Sequence, residues 1–274
     1  MEDRQPNPDF TTLPPAEQKA TYVRAMFGRI ARRYDLMNRL MTLGRDRAWR
    51  RYVVQQAVGP VCDSPVPRQS GSSSPRVLDV ATGTGDLALE TLRQHPDAHV
   101  VGLDFTPEML ALARQKVFRQ GQETATVDLD NPTLTAGDAL RLPVADGAFD
   151  AVVTAFALRN VVDIPQAFVE MARVTRPGGR VACLEIAKPR SRLFSSFFSL
   201  YFYRLVPLLG RWITGEKQAY SYLPHSLTAF LTPDEIAAVM RQGGWQDVRY
   251  RRMMLGTVAV HVGVRGSGRG EGGQ

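Results

Sequence analysis

Three carboxylates and two glycines stand where this chain could do chemistry. Asp79 lies inside the short apolar run Val77–Val80, Asp104 closes the run His99–Asp104, and Asp138 follows a third short run. Gly83 and Gly85 separate the first run from Leu87-Ala-Leu-Glu-Thr-Leu92, whose apolar spacing is helical. Strand, glycine turn and helix together open a nucleotide-binding βαβ unit. Glycine has no Cβ, so a ligand can approach the backbone there. Asp104 falls about 20 residues beyond the turn, where such units hold a ribose.

Two cofactors fit that geometry. Gly83-Thr-Gly85-Asp-Leu-Ala88 reads as G-x-G-x-x-A, a loop that can cradle a dinucleotide pyrophosphate at a helix N-terminus. Asp79 and Asp86, however, place negative charge beside the loop. That is awkward for a pyrophosphate and tolerable for the sulfonium of S-adenosylmethionine. Asp138, in Ala136-Gly-Asp-Ala-Leu-Arg-Leu-Pro143, suits an adenine exocyclic amine. In this order and spacing Asp79, Gly83, Gly85, Asp104 and Asp138 resemble a class I S-adenosylmethionine-dependent methyltransferase.

The elements that must hold these residues can be read along the chain. Residues 1–15 are a polar, flexible tail. Residues 16–58 are a helical region: one helix is expected from Ala16 to Arg33, with Tyr22, Met26, Phe27 and Ile30 on its apolar face, and a second from Arg45 to Val58. Residues 59–75 hold Gly-Pro and Ser70-Gly-Ser-Ser-Ser74 and form a flexible linker. The catalytic domain spans 76–265. Within it Thr106 and Thr232 are expected helix N-caps, each followed by proline. A fourth strand over Ala151–Ala155 leads to Phe156-Ala-Leu-Arg-Asn160. A helix over Pro165–Thr175, a turn at Arg176–Gly179 and a fifth strand over Arg180–Ile186 follow. Glu185, at the crevice end of that strand, is available as a base or hydrogen-bond acceptor. Residues 189–226 form an insertion facing substrate or membrane; its aromatic stretch Leu193–Leu209 is too broken by Arg204 and Pro207 to span a bilayer. Strands over Asp247–Arg252 and Thr257–Val264 precede a glycine-rich, disordered tail at 266–274.

Composition sets outer limits. The 274 residues carry a formal charge of +7, and 44% are hydrophobic. The basic balance favours an anionic neighbour. Cys62 and Cys183 have no paired spacing, which fits a reducing, cytoplasmic setting. The histidines form no metal-ligand motif with them, so no metal is expected.

Regions outside the glycine turn narrow the family. Phe27-Gly-Arg-Ile-Ala-Arg-Arg-Tyr-Asp-Leu-Met-Asn38, Phe156-Ala-Leu-Arg-Asn-Val161, Arg176-Pro-Gly-Gly179, Tyr222-Leu-Pro-His-Ser226 and Gly256-Thr-Val-Ala-Val-His261 resemble the quinone C-methyltransferases of menaquinone and ubiquinone biosynthesis. The resemblance implies a Rossmann-like α/β fold: a mostly parallel seven-stranded sheet with a C-terminal antiparallel hairpin and an N-terminal helical extension. It also implies methylation of a prenylated demethylquinol, demethylmenaquinol first, with S-adenosylmethionine as donor. The family's cofactor contacts fall on Thr84, Asp104, Asp138 and Ala139. Ala155 stands where some relatives carry serine, so this chain offers no hydroxyl there.

A sulfonium methyl is already a good electrophile. Catalysis therefore needs in-line placement and an electron-rich ring carbon. One general base, acting directly or through water, suffices to ionise a ring hydroxyl. Candidates are Tyr34, Asp35, Arg159, Asn160 and His225, with Arg159 orienting water or steadying the ring oxyanion and His225 the natural titrating base near neutral pH. Because a polyprenyl tail partitions into lipid, the expected partners are the quinol and a membrane surface met peripherally, on the inner face of the cell membrane. A homo-oligomer is compatible with the chain, and nucleic acid is not an expected partner because the basic residues are scattered. The rival classes are an NAD(P)-dependent oxidoreductase, an RNA methyltransferase, a ubiquinone-pathway or dual-specificity quinol methyltransferase, and a non-enzymatic S-adenosylmethionine-binding partner.

Overall fold

A computed structural model describes residues 15–59, 74–123, 132–191, 200–206, 208, 222, 226–227 and 230–266. The tails and most of the linker expected at 59–75 lie outside these residues, as does much of the 189–226 insertion, including His225.

The sheet has seven strands: β1 (Arg76–Val80), β2 (His99–Asp104), β3 (Thr133–Ala136), β4 (Phe149–Ala155), β5 (Thr175–Ile186), β6 (Trp245–Met253) and β7 (Val258–Arg265). Their spatial order is β3-β2-β1-β4-β5-β7-β6. The first five run parallel, and β7 is antiparallel to both β5 and β6. Strand order therefore reverses between β1 and β4, the topological switch point where ligands enter open α/β sheets.

Successive side chains of a strand point to opposite faces, and here both faces are covered. Leu78, Val80, Val152, Val181 and Cys183 join one buried cluster with Phe168 and Met171 of α5 (Ile164–Val174) and Ile236 and Met240 of α6 (Pro233–Gln242). Val77, Val153, Ala182 and Leu184 join the other with Trp49, Val53 and Val54 of α2 (Asp46–Ala57) and Leu87 and Ala88 of α3 (Asp86–Gln94). Two-sided burial explains why the central strands read as continuous apolar runs. A fully buried side chain such as Phe168 contributes about 3 kcal/mol. Asp163 caps α5 by accepting the Gln166 N–H, and Thr232 forms a reciprocal capping box with Glu235 on α6, the N-cap its sequence signals.

Two elements differ from the sequence reading. Helix α1 runs unbroken over Ala16–Thr42, well past Arg33. Tyr34, Met37 and Met41 prolong its apolar face, and Met37 is fully buried against Val206 and Tyr222. The turn at Arg176–Gly179 lies inside β5: Phe149 pairs with Thr175 and Ala151 with Arg180, so four residues bulge from the ladder. A Cβ on Gly179 would stand 2.7 Å from the Asp150 carbonyl, so glycine is required there.

Candidate active site

A cavity of about 840 Å³ opens at the C-terminal ends of β1, β2, β3 and β4. Gly83 and Ala81 line it from the β1–α3 turn, Asp104 from β2, Asp138 and Ala139 from the segment after β3, and Ala155 and Phe156 from the end of β4. Helix α1 closes it with Phe27 and Tyr34. Ala81 and Phe156, the residues directly after β1 and β4, both adopt left-handed backbone with φ of 57° and 58°. For non-glycine residues that costs about 1–2 kcal/mol each. It turns both chains sharply off the sheet and opens the crevice between them.

Asp104 is buried. One carboxylate oxygen accepts the Gly83 N–H at 2.8 Å and the other the Thr106 N–H at 2.8 Å. Burial pushes its carboxyl above the ordinary range, opposed by these two donors. Asp138 is held by the Leu140 N–H at 2.9 Å.

Other residues named from the sequence take different places. Asp79 is not in the cavity wall. It sits beneath the turn, accepting from Thr82 Oγ1 at 2.6 Å and from the Ala88 N–H at 3.0 Å. It thus caps α3, whose N-cap, Gly85, has no side chain to do so. Burial raises its pKa to about 7. Gly85 also lies outside the wall; its φ of 82° makes the turn.

Thr84 and Asp35 are spent on each other. Thr84 Oγ1 donates to Asp35 Oδ1 at 2.6 Å, and Lys116 Nζ reaches Thr84 at 2.8 Å and both Asp35 and Asp86 at 2.6 Å. Arg50 continues the chain to Asp86 at 3.3 Å and Asp46 at 2.5 Å. This network ties α1, α2, α3 and α4 (Pro107–Glu123) together around the turn. Burial alone would raise the Asp86 carboxyl, but Arg50 and Lys116 outweigh it and hold it below its usual value. No sequence pattern pointed to Lys116; Arg50 belongs, with Trp49, to the N-terminal part of the family resemblance, which does not show its role in this network.

A second cavity, of about 400 Å³, lies behind the first. Phe27, Tyr34 and Asn160 belong to both, so they form the shared wall. Met26, Ile30, Met37 and Met41 of α1 give it an apolar lining; Asn38, Arg159 and Tyr222 complete it with Asn160. Those four polar residues carry buried atoms without a hydrogen-bond partner: Asn38 Nδ2, Arg159 Nε, Asn160 Oδ1 and the Tyr222 hydroxyl. Buried polar atoms are nearly always satisfied, so four at one cavity describe a place for a polar ligand. Arg159 is anchored by its Nη1, which donates to the Phe156 carbonyl at 2.6 Å and lies 3.6 Å from Glu185 Oε2. Glu185 Oε1 accepts the Leu158 N–H at 2.6 Å. Burial lifts the Glu185 pKa to about 6, with Arg159 opposing. Burial likewise raises Tyr34, again opposed by Arg159.

The first cavity fits S-adenosylmethionine on its own features. It has carboxylate acceptors at the end of β2, where Asp104 is buried, and after β3, where Asp138 is exposed. A Cβ placed on Gly83 would meet nothing within 4 Å, so space lies open over the turn.

Fold and site together define an S-adenosylmethionine-dependent methyltransferase of the Rossmann-like class. The chain resembles human N-acetylserotonin methyltransferase, solved in complex with S-adenosylmethionine, with a TM-score of 0.57 at 17% identity, covering 93% of this chain and 61% of that one. The pattern of the ubiE/COQ5 methyltransferase family matches residues 16–265. A demethylmenaquinone methyltransferase of Roseiflexus castenholzii is 47% identical over 253 residues, 92% of this chain and 97% of its own. One of Deinococcus radiodurans is 43% identical over 247 residues, 90% of this chain and 94% of its own. The chain belongs to the ubiE/COQ5 methyltransferase family.

Proposed function

We propose that this protein transfers a methyl group from S-adenosylmethionine to a ring carbon of a prenylated demethylquinol, demethylmenaquinol in the first instance. The observation that carries this reading is the second cavity: apolar on the α1 side, provided with four unpaired polar atoms, and sharing Phe27, Tyr34 and Asn160 with the first. A hydroquinol head has that character, a flat apolar ring with hydroxyls at its edge. The names of the relatives support the naphthoquinol over the benzoquinol.

Asp104 and Asp138 would hold the cofactor's ribose and adenine. Bound there, S-adenosylmethionine supplies an electrophilic methyl on a sulfonium. The chain's own work is placement and charge. Phe27 and Tyr34, ring centroids 5.7 Å apart and edge to face, can stack on the quinol ring and exclude water. Arg159, fixed by the Phe156 carbonyl and Glu185, presents its free Nε toward a ring oxygen and favours the oxyanion that makes the adjacent carbon nucleophilic. Asn160 and Asn38 offer hydrogen bonds that fix which carbon faces the methyl. Glu185 acts through Arg159 as a positioning residue.

The test is methyl transfer from labelled S-adenosylmethionine to reduced demethylmenaquinol, beside a demethylated benzoquinol and bulk tRNA. Product on the naphthoquinol alone is expected. Cofactor binding with no quinol product would overturn the reading in favour of a non-enzymatic binding partner.

A further inference from the structure

The outer face of α1 carries features that the active site does not use. Leu36, Leu40 and Leu43 are exposed, Leu43 by 76%; Leu36 and Leu40 lie one turn apart on one side of α1, and Leu43 follows just past its end. Leu43 also sits in left-handed backbone, φ 52°, at the C-cap of α1, where glycine would be accommodated without strain. Leu200, Leu205 and Leu208 add exposed apolar surface from a second helical segment. That segment is fastened to α1 by the Tyr201 hydroxyl, which donates to the Met41 carbonyl at 3.0 Å, and by Val206, buried in the same cluster as Met37. Met37 and Met41 line the second cavity, so the patch lies over its outer wall.

Charge frames the leucines with one sign. Between residues 29 and 47 there are six arginines and two aspartates. The aspartates are committed inward, Asp35 to Lys116 and Asp46 to Arg50. Arg32, Arg39, Arg45 and Arg47 are exposed.

We propose that this face, the C-terminal half of α1 with the turn into α2 and the exposed Leu200, Leu205 and Leu208, docks the protein on an anionic bilayer. Leucines enter the acyl boundary while arginines meet lipid phosphates. A second copy of the chain is a poorer occupant. A two-fold interface sets the same patch against itself, and here that would bring two arginine-rich rims together. The biological purpose rests on the quinol reading: a docked face beside the second cavity lets a prenyl tail stay in lipid while the ring is methylated.

The experiment is co-sedimentation of the full chain with vesicles of phosphatidylcholine alone and of phosphatidylcholine with phosphatidylglycerol. Binding is expected to the anionic vesicles only and to weaken with salt. The double variants Arg32→Glu/Arg45→Glu and Leu40→Gln/Leu43→Gln should each weaken it by roughly tenfold or more. Arg249→Glu/Arg251→Glu, the same charge change on the β6 edge, should leave it near the wild-type value. All three variants should methylate a short-tailed, water-soluble demethylquinol at the wild-type rate, which keeps failed docking distinct from failed chemistry. Equal losses in all charge variants, or unchanged binding in the leucine variant, would overturn the proposal. So would light scattering that shows a dimer dispersed by the leucine substitutions.

Discussion

The first cavity is walled mainly by residues at and just after the ends of β1 to β4, and the carboxylates that rim it are fixed by backbone groups: Asp104 holds two N–H groups and Asp138 one. The second is walled by long side chains of α1 and by the 158–160 turn, and four of its polar atoms wait for partners. One site is fixed by the topology of the sheet, the other by a helix laid across it. Affinity for the donor should therefore be rigid and local. Acceptor placement should depend on groups whose own positions are secured from further away.

The strongest test of that division is Arg159→Met. It should lower kcat by about 100- to 1,000-fold and leave the Kd for S-adenosylmethionine within about twofold of wild type, since Arg159 lines only the second cavity. Isothermal titration beside steady-state kinetics reads both numbers. A parallel rise in Kd would erase the distinction between the cavities.

Asp104→Ala is the converse. It removes the acceptor of Gly83 and Thr106 N–H groups and should weaken S-adenosylmethionine binding by roughly 10- to 100-fold, with a smaller effect on the KM for quinol.

Glu185→Gln sharpens the role of support. The Glu185 pKa is about 6, so its carboxylate faces Arg159 above that pH and is lost below it. Wild-type kcat should fall on an acid limb near pH 6 that the variant lacks. The same shift fixes a sign for stability. Because the folded value lies above the ordinary 4.5, this group's stabilisation is full below pH 4.5 and lost as pH rises through about 6. Relative to Glu185→Gln, the wild type should therefore be less favoured at pH 8 than at pH 4 by about 2 kcal/mol, measured by urea unfolding at the two pH values.

The smallest effect belongs to Lys116→Met. Lys116 and its partners Asp35 and Asp86 are 25–30% exposed, so the network is screened. Its loss should cost about 1 kcal/mol and release α1 to limited proteolysis before the core unfolds.

The sheet was legible because its strands are apolar runs punctuated by glycine, proline and caps, as at Val77–Val80 and Thr232-Pro233. The length of α1 was not: the pair Arg32-Arg33 interrupts the apolar pattern and hides that Tyr34, Met37 and Met41 resume it. The glycine turn located the first cavity, but spacing does not say which way a side chain points. Asp104, Asp138, Ala139, Gly83 and Ala155 reach its wall, whereas Asp79 turns under the loop and Thr84 turns to Asp35. Arg159, Asn160 and Tyr34 were found through the family motif. Their companions Asn38 and Tyr222 lie in the same motifs but were not singled out, because a polar atom left unpaired becomes visible only when the segments around it are assembled.

Strand β7 is later in sequence than every other strand, yet it lies between β5 and β6. During synthesis β6 emerges with no place to pair, and β5 presents a bare edge until residues 258–265 have left the ribosome. The sheet therefore closes from within, and a chain interrupted before Val258 would offer two unpaired strand edges to its neighbours, a hazard to the cell more than a partial enzyme.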